Sequence, residues 1–418
     1  MPEQPIKIAA TQPEPPTRRW AVLALLGVAQ LMVVLDVTIV NVALPSAQRT
    51  LGFSTDSRQW VVTAYALAFG SLLLLGGKLG DLFGRKWTFV AGLIGFAGAS
   101  ALGGLAQSFG MLVAARALQG AFGALLAPSA LALLAATFAG SPDRPKAFGI
   151  FGAIAGAGGS FGLVLGGALT QAVSWRWCLY VNLVIAIPTA IFALRLLKNV
   201  RLGQTRHLDL PGLLTGAVGV FALVYGVSNA ETHSWTATVT IVALAASVVL
   251  LTGFVLIERR VSEPLLPLGI PADRSRGGAF IALLLAFGGL FSVFLFLTFY
   301  LQRSLDYTPL LTGVAILPLT AVTILSATVA QIRLVPRTGV KPLVTLGMAL
   351  ATIGMYSFTR LGVHSAYASY QSAIKVGGVG LVSNFAVWLL RFRSQRALLS
   401  VWRSCWRTRV CRPVSTLG

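Results

Sequence analysis

The sequence predicts an all-α polytopic membrane protein, and three observations carry that prediction. Apolar runs of about 20 residues recur along the chain, the length a helix needs to cross ~30 Å of hydrocarbon. Hydrophobic residues make up 56% of the chain and charged residues only 11%, where soluble domains average roughly 25% charged. The period-two alternation of a transmembrane barrel is missing. The 44 glycines suit helices packed closely in lipid, where small residues let backbones approach.

The apolar runs predict twelve spans, at 20–44, 58–76, 87–106, 109–138, 147–171, 178–197, 211–229, 235–257, 278–301, 311–332, 342–359 and 366–390. Ahead of them, Met1–Arg19 holds Pro2, Pro5, Pro13, Pro15 and Pro16 and is expected to be a disordered cytoplasmic tail. The first run is too long for the h-region of a signal peptide. Lysine and arginine collect in alternate loops. Up to Arg360, the opposite set holds only Arg49, Arg58, Arg176, Arg303 and Arg360. The positive-inside rule then puts the N-terminus in the cytoplasm, and the plasma membrane is the expected location. The net charge of +21 marks topology rather than a nucleic-acid footprint.

Catalysis has no support in the composition. His207, His233 and His364 lie between spans, and Cys178, Cys405 and Cys411 form no metal or redox spacing. No G-x-x-x-x-G-K-[ST] loop occurs. The expectation is a protein that is not an enzyme and uses no cofactor or metal.

The first span reads WAVLALLGVAQLMVVLDVTIVNVAL and holds Asp36, the only one of 12 acidic residues placed deep within an apolar run. A carboxylate in hydrocarbon costs several kcal/mol, so such a residue faces a bundle interior and serves ions or protons. Asp36 and Asn41 point about 140° apart, whereas Thr38 and Asn41 share a face from which they can bond to another helix. A polar helix-packing site is the competing reading for this segment.

In the fourth span, Arg116, Gln119, Gly120 and Gly123 recur at i, i+3, i+4 and i+7, on one face. A guanidinium there needs partners: backbone carbonyls, Gln119, or a carboxylate such as Asp36. Structural glue is the alternative to a proton role. In the fifth span Gly149, Gly152, Gly156 and Gly159 predict one smooth face for close helix crossing, with Gly166 and Gly167 as further packing candidates.

Between the second and third spans lies GGKLGDLFGRKW, with Gly77, Gly80 and Gly84 for the turn. Asp81 is placed to meet a helix N-terminus or an arginine, and Arg85 and Lys86 suit a cytoplasmic loop. This segment resembles the G-x-L-x-D-x-x-G-R-K loop of the major facilitator superfamily. The resemblance implies a charge-relay latch that holds the cytoplasmic side closed, built on Gly77, Asp81, Gly84, Arg85 and Lys86. The R-x-x-Q-G of Arg116–Gly120 is similar to that family's fourth-helix motif, whose arginine is implicated in proton transfer. The glycines of the fifth span resemble the antiporter motif of facilitator exporters, with Gly162-Leu163 where G-P is usual. SWRWCLYVN (Ser174 to Asn182), HLDLPGLLT (His207 to Thr215), ERRVSEPLLPL (Glu258 to Leu268) and FYLQRSLDYTPLLTGVAILP (Phe299 to Pro318) extend the likeness.

Together with LDVTIVNVALP, these segments resemble the fourteen-helix branch of drug:H⁺ antiporters over roughly residues 18–380. The resemblance implies a major facilitator fold. An N-terminal six-helix bundle (20–200) would be followed by two central linker helices with their loops (201–277) and an incomplete C-terminal bundle (278–390). It implies proton-coupled export of amphipathic or cationic drugs by alternating access, with protons, small organic substrates and the lipid bilayer as partners. The alternatives are a dedicated metabolite, siderophore or antibiotic exporter, and an inactive truncated remnant. Residues 391–418 hold seven arginines and no acid. A shifted frame, a truncated product and a genuine basic tail all fit that stretch. Lys375 snorkels, pairs, or marks an earlier departure from the family's text.

Overall fold

A computed structural model describes residues 16–54, 57–199, 209–261, 265, 273–303, 305–330, 334–338 and 340–359. Every element in them is helical: α1 (Pro16–Leu51), α2 (Arg58–Phe83), α3 (Arg85–Gly104), α4 (Phe109–Thr137), α5 (Arg144–Ala172), α6 (Trp177–Leu196), α7 (Leu210–Thr232), α8 (Thr238–Arg260), α9 (Arg274–Arg303), α10 (Pro309–Val329), α11 (Val335–Thr338) and α12 (Val340–Thr359). Among the described residues, α1 to α8 are long and apolar enough to cross a membrane. The expected span at 366–390, Lys375 and the basic tail lie outside the described residues.

Local chemistry explains where the helices begin and end. Gly52, Gly84 and Gly140 adopt positive φ in the breaks after α1, α2 and α4, a conformation that glycine reaches without a Cβ penalty. Ser108 caps α4 by accepting from the Met111 N–H at 3.3 Å, and Asp209 caps α7 by accepting from the Gly212 N–H at 3.0 Å. α1 departs from expectation at both ends. It starts at Pro16, so residues 16–19 are helical rather than part of a disordered tail, and it runs through Pro45 to Leu51. Proline at position 45 forfeits one backbone bond near a helix end, which leaves the rest of the ladder intact.

The described residues fall into two compact units, one of Met1–Arg276 with Thr298–Leu317, the other of Gly277–Leu297 with Pro318–Gly418. In the first unit α1 packs on α5 and α6, α2 on α4, and α3 on α4 and α6. Two apolar clusters fill it. One holds Leu26, Met32, Phe89, Phe96, Leu126 and Phe138; the other holds Ile39, Val61, Leu112, Trp175 and Leu179. Asp36 lies on α1 between the parts that enter each cluster.

Glycine sets how closely these helices approach. A Cβ at Gly76 would overlap the Ala124 carbonyl oxygen, and one at Gly120 the Tyr65 carbonyl oxygen. The α1–α5 crossing brings Gly158, Gly162 and Gly166 against Val34, Thr38 and Ile39; Gly166 is among the glycines expected to pack, whereas Gly158 and Gly162 are not.

The α7–α8 hairpin belongs to this first unit and docks on α2. Gln59 donates to Glu231 at 2.6 Å, the Thr63 and Ser228 hydroxyls bond at 3.1 Å, and the Trp60 and Tyr225 rings lie 5.8 Å apart. Cysteines at Thr63 and Ser228 are therefore expected to form a disulfide readily under mild oxidation, detected by a mobility change that reductant reverses. Absence of that cross-link in folded protein would contradict the docking.

Candidate functional site

Five helices converge on Asp36. Its relative exposure is 0%, and those of Arg116, Gln119 and Asn182 are 1%, 0% and 0%. From α4, Arg116 Nη1 donates to Asp36 Oδ2 at 2.5 Å and to Gln119 Oε1 at 2.8 Å. Gln119 Nε2 donates to Asp36 Oδ1 at 3.0 Å and to Ser100 Oγ of α3 at 2.7 Å. From α6, Asn182 Nδ2 donates to Asp36 Oδ1 at 2.6 Å and reaches Ser100 Oγ at 3.3 Å. From α2, the Val61 carbonyl accepts from Arg116 Nε at 3.3 Å, and the Tyr65 ring lies 4.5 Å from the guanidinium carbon.

Energetics require this completeness. Burying an ion pair costs several kcal/mol per ion in desolvation, repaid only when the remaining lone pairs and protons are also satisfied. Here the carboxylate accepts three hydrogen bonds, while the guanidinium has two side-chain acceptors, a carbonyl and a ring face. The tight α2–α4 crossing over Gly120 and Gly123 brings the Tyr65 ring and the Val61 carbonyl to Arg116. Chemically, the arrangement holds one carboxylate against a fixed cation, with two amide groups also donating to it.

Sequence reasoning brought Asp36, Arg116, Gln119 and Gly120 forward, and the structure places the three polar ones in contact. Thr38 behaves differently: its hydroxyl donates to Leu35 O of its own helix at 3.1 Å and lies against Gly162, and Asn41 is half-buried. Gly156 is half-buried on α5, whereas Gly159, Gly166 and Gly167 are buried. Ser100 gave no signal in the sequence. Asn182 closes a recognised motif, but its reach to Asp36 is set by how α6 packs. Asp36 is also not alone in its burial, because Asp209 and Glu258 at the far ends of the α7–α8 hairpin are buried too.

The α2–α3 turn forms a second polar cluster. Gly84 has φ +95°, and a Cβ there would overlap the Asn199 side chain. Arg85 lies 3.4 Å from Asp81 Oδ1 and donates to the Ala132 carbonyl of α4 at 3.1 Å. Lys86 donates to Leu194 O at 2.7 Å, beside Arg18, which donates to Leu196 O at 3.0 Å. These cations neutralise the carbonyl end of α6. Gly77 and Gly80 leave room for Pro128 and Ser129 of α4. The contacts tie the turn to α4 and α6 within the first unit.

Helices of membrane-crossing length with an ion pair buried among them define a multi-pass membrane protein. The chain belongs to the Major Facilitator Superfamily, whose model matches residues 26–397. Its relatives include the puromycin resistance protein pur8 of Streptomyces alboniger, 49% identical over 358 residues, covering 85% of this chain and 71% of that protein. The cephamycin export protein CmcT of Amycolatopsis lactamdurans is 38% identical, with 82% of this chain and 72% of that protein covered. The tetracenomycin C resistance and export protein of Streptomyces glaucescens is 36% identical, at 87% and 68%. Among solved structures, the proton:xylose symporter XylE bound to 6-bromo-6-deoxy-D-glucose superposes with a TM-score of 0.58 at 14% identity, covering 90% of this chain and 82% of that one. That likeness concerns the fold alone.

Proposed function

We propose that this protein exports amphipathic or cationic drugs across the plasma membrane in exchange for protons, as a member of the fourteen-helix drug:H⁺ antiporter branch. The single observation that carries the proposal is the carboxylate of Asp36, buried beside Arg116 in a chain whose relatives are antibiotic resistance and export proteins. Access alternates by rocking of helix bundles about a midplane site. Asp36 takes a proton from outside and releases it inside as drug leaves. Asp81, Arg85 and Lys86 form the cytoplasmic gate, with the N-terminus on the same side.

A second reading has specific support: several relatives are named for one antibiotic each, so the chain exports a single compound of that kind. Puromycin is the first to try, given the 49% identity to a puromycin resistance protein. Expression in a sensitive host, with cephamycin, tetracenomycin C and ethidium in parallel, separates the readings. Protection against puromycin alone supports the dedicated exporter, protection against several compounds supports the broad one, and protection against none contradicts export of these classes.

The gate makes its own prediction. Asp81→Asn removes a partly exposed ion pair, worth about 1 kcal/mol or less in stability, so abundance should stay near normal while export falls severalfold. Arg85 keeps its bond to the Ala132 carbonyl. Unchanged export in proteoliposomes would reduce Asp81 to a turn residue. Sidedness is checked by cysteine labelling. A thiol reagent that does not cross membranes should reach Thr236→Cys in intact cells, and Pro142→Cys only after permeabilisation. The reverse pattern would invert the topology.

A further inference from the structure

We propose that Asn182 reads the protonation state of Asp36 and carries it to α6. This rests on the reading of Asp36 as the proton-coupling group. Asn182 is fully buried, and its Nδ2 donates to Asp36 Oδ1 at 2.6 Å, while its Oδ1 is buried without a hydrogen-bond partner. An ionised carboxylate only accepts, so the amide must present its NH₂ group to it; a protonated carboxyl has one O–H to donate, and that hydrogen then needs an acceptor.

The neighbours of Asp36 differ in their freedom to supply one. Arg116 has donors only. Gln119 is held at both ends: its Oε1 accepts from Arg116, and its Nε2 donates to Asp36 and Ser100. Turning it over would set NH₂ against guanidinium. Asn182 has no such tie, because nothing engages its oxygen, so Asp36 and Ser100 alone decide which way it faces. Ser100 accepts in the present arrangement and can donate in the other, since a hydroxyl does both. The amide therefore donates to ionised Asp36 and, turned by a half rotation, accepts from protonated Asp36.

The consequence is a transfer of linkage between helices. Protonation removes the charge that binds Asp36 to Arg116 of α4 and gives Asp36 an O–H bond to α6. The titratable or charged groups facing Asp36 from the packed helices are Arg116 of α4, Tyr65 of α2 and Cys178 of α6. α3 brings Ser100, and α5 carries Arg144 and Lys146 only in its first turn. Asn182 is a positioning residue: it holds no proton itself.

Infrared difference spectroscopy during a pH titration tests this on the full chain in lipid nanodiscs, with asparagine side-chain carbonyls ¹³C-labelled and no drug present. On acidification, wild type should gain a protonated-carboxyl band that Asp36→Asn lacks. In step with it, one asparagine carbonyl should shift to lower frequency as it begins to accept a hydrogen bond. Asn182→Leu, of similar shape, should keep the carboxyl band and lose the asparagine shift. A carboxyl band that titrates in wild type with no asparagine carbonyl moving would overturn the role of Asn182 and leave proton coupling standing. So would an asparagine shift that persists in Asn182→Leu. If no carboxyl band depends on Asp36, proton coupling at Asp36 fails and this role fails with it. The wild-type and Asp36→Asn spectra suffice should Asn182→Leu not fold.

Discussion

Asp36→Asn is expected to abolish drug accumulation driven by a pH gradient while leaving a folded protein that still binds drug. The amide has the shape of the protonated acid but neither gains nor loses a proton, so the cycle stops at its proton step. Folding survives because an amide oxygen at position 36 can still accept from Arg116, which also keeps Gln119 Oε1, the Val61 carbonyl and the Tyr65 ring. Asp36→Leu provides the contrast. It removes the polar partner altogether, and stranding a buried charge costs about 3–5 kcal/mol, so that variant should lose folded protein as well as transport. Puromycin uptake into inverted proteoliposomes, with thermal unfolding followed by size exclusion, separates the two effects. Uphill accumulation by Asp36→Asn would make Asp36 a packing residue and move the proton path elsewhere.

Gly120→Val should have an effect of similar size by a different route. Its Cβ would overlap the Tyr65 carbonyl oxygen and press on the Phe69 backbone nitrogen and the Ala68 side chain. Backbone cannot move aside as a flexible side chain can, so α2 and α4 must separate. Overpacking of this kind costs on the order of 3 kcal/mol. Separation also withdraws Val61 and Tyr65 from Arg116, so export should fall along with stability. Gly98→Val on α3 is the control, because nothing lies within 4 Å of its Cβ position. Equal unfolding temperatures for the two variants would contradict the close α2–α4 crossing.

These two variants also mark how far the sequence could be read. Asp36 and the Arg116–Gln119–Gly120 face were legible because a charge in an apolar run is costly and helical spacing puts the other three residues together. What lay beyond reach depends on contacts between helices far apart in the chain. Ser100 is an ordinary hydroxyl in α3 until α4 and α6 close around it. Asn182 ended a recognised motif, but only the rotation of α6 aims its amide at Asp36. Gly166 of α5 was legible as a packing glycine, whereas the part played by Gly158 and Gly162 follows from where Val34 and Thr38 of α1 lie. Asp209 and Glu258 looked like loop acids because each stands at a helix end. Burial came from the hairpin folding back so that both carboxylates approach Gly212.

The central claim is that drug and proton move in opposite directions through the chemistry of Asp36. Proteoliposomes loaded with puromycin and a pH-sensitive dye, then diluted into drug-free buffer, test it most directly. Puromycin efflux should acidify the lumen as protons enter in exchange, and Asp36→Asn should show no acidification. Puromycin leaving wild-type vesicles with no change in lumenal pH would contradict the account.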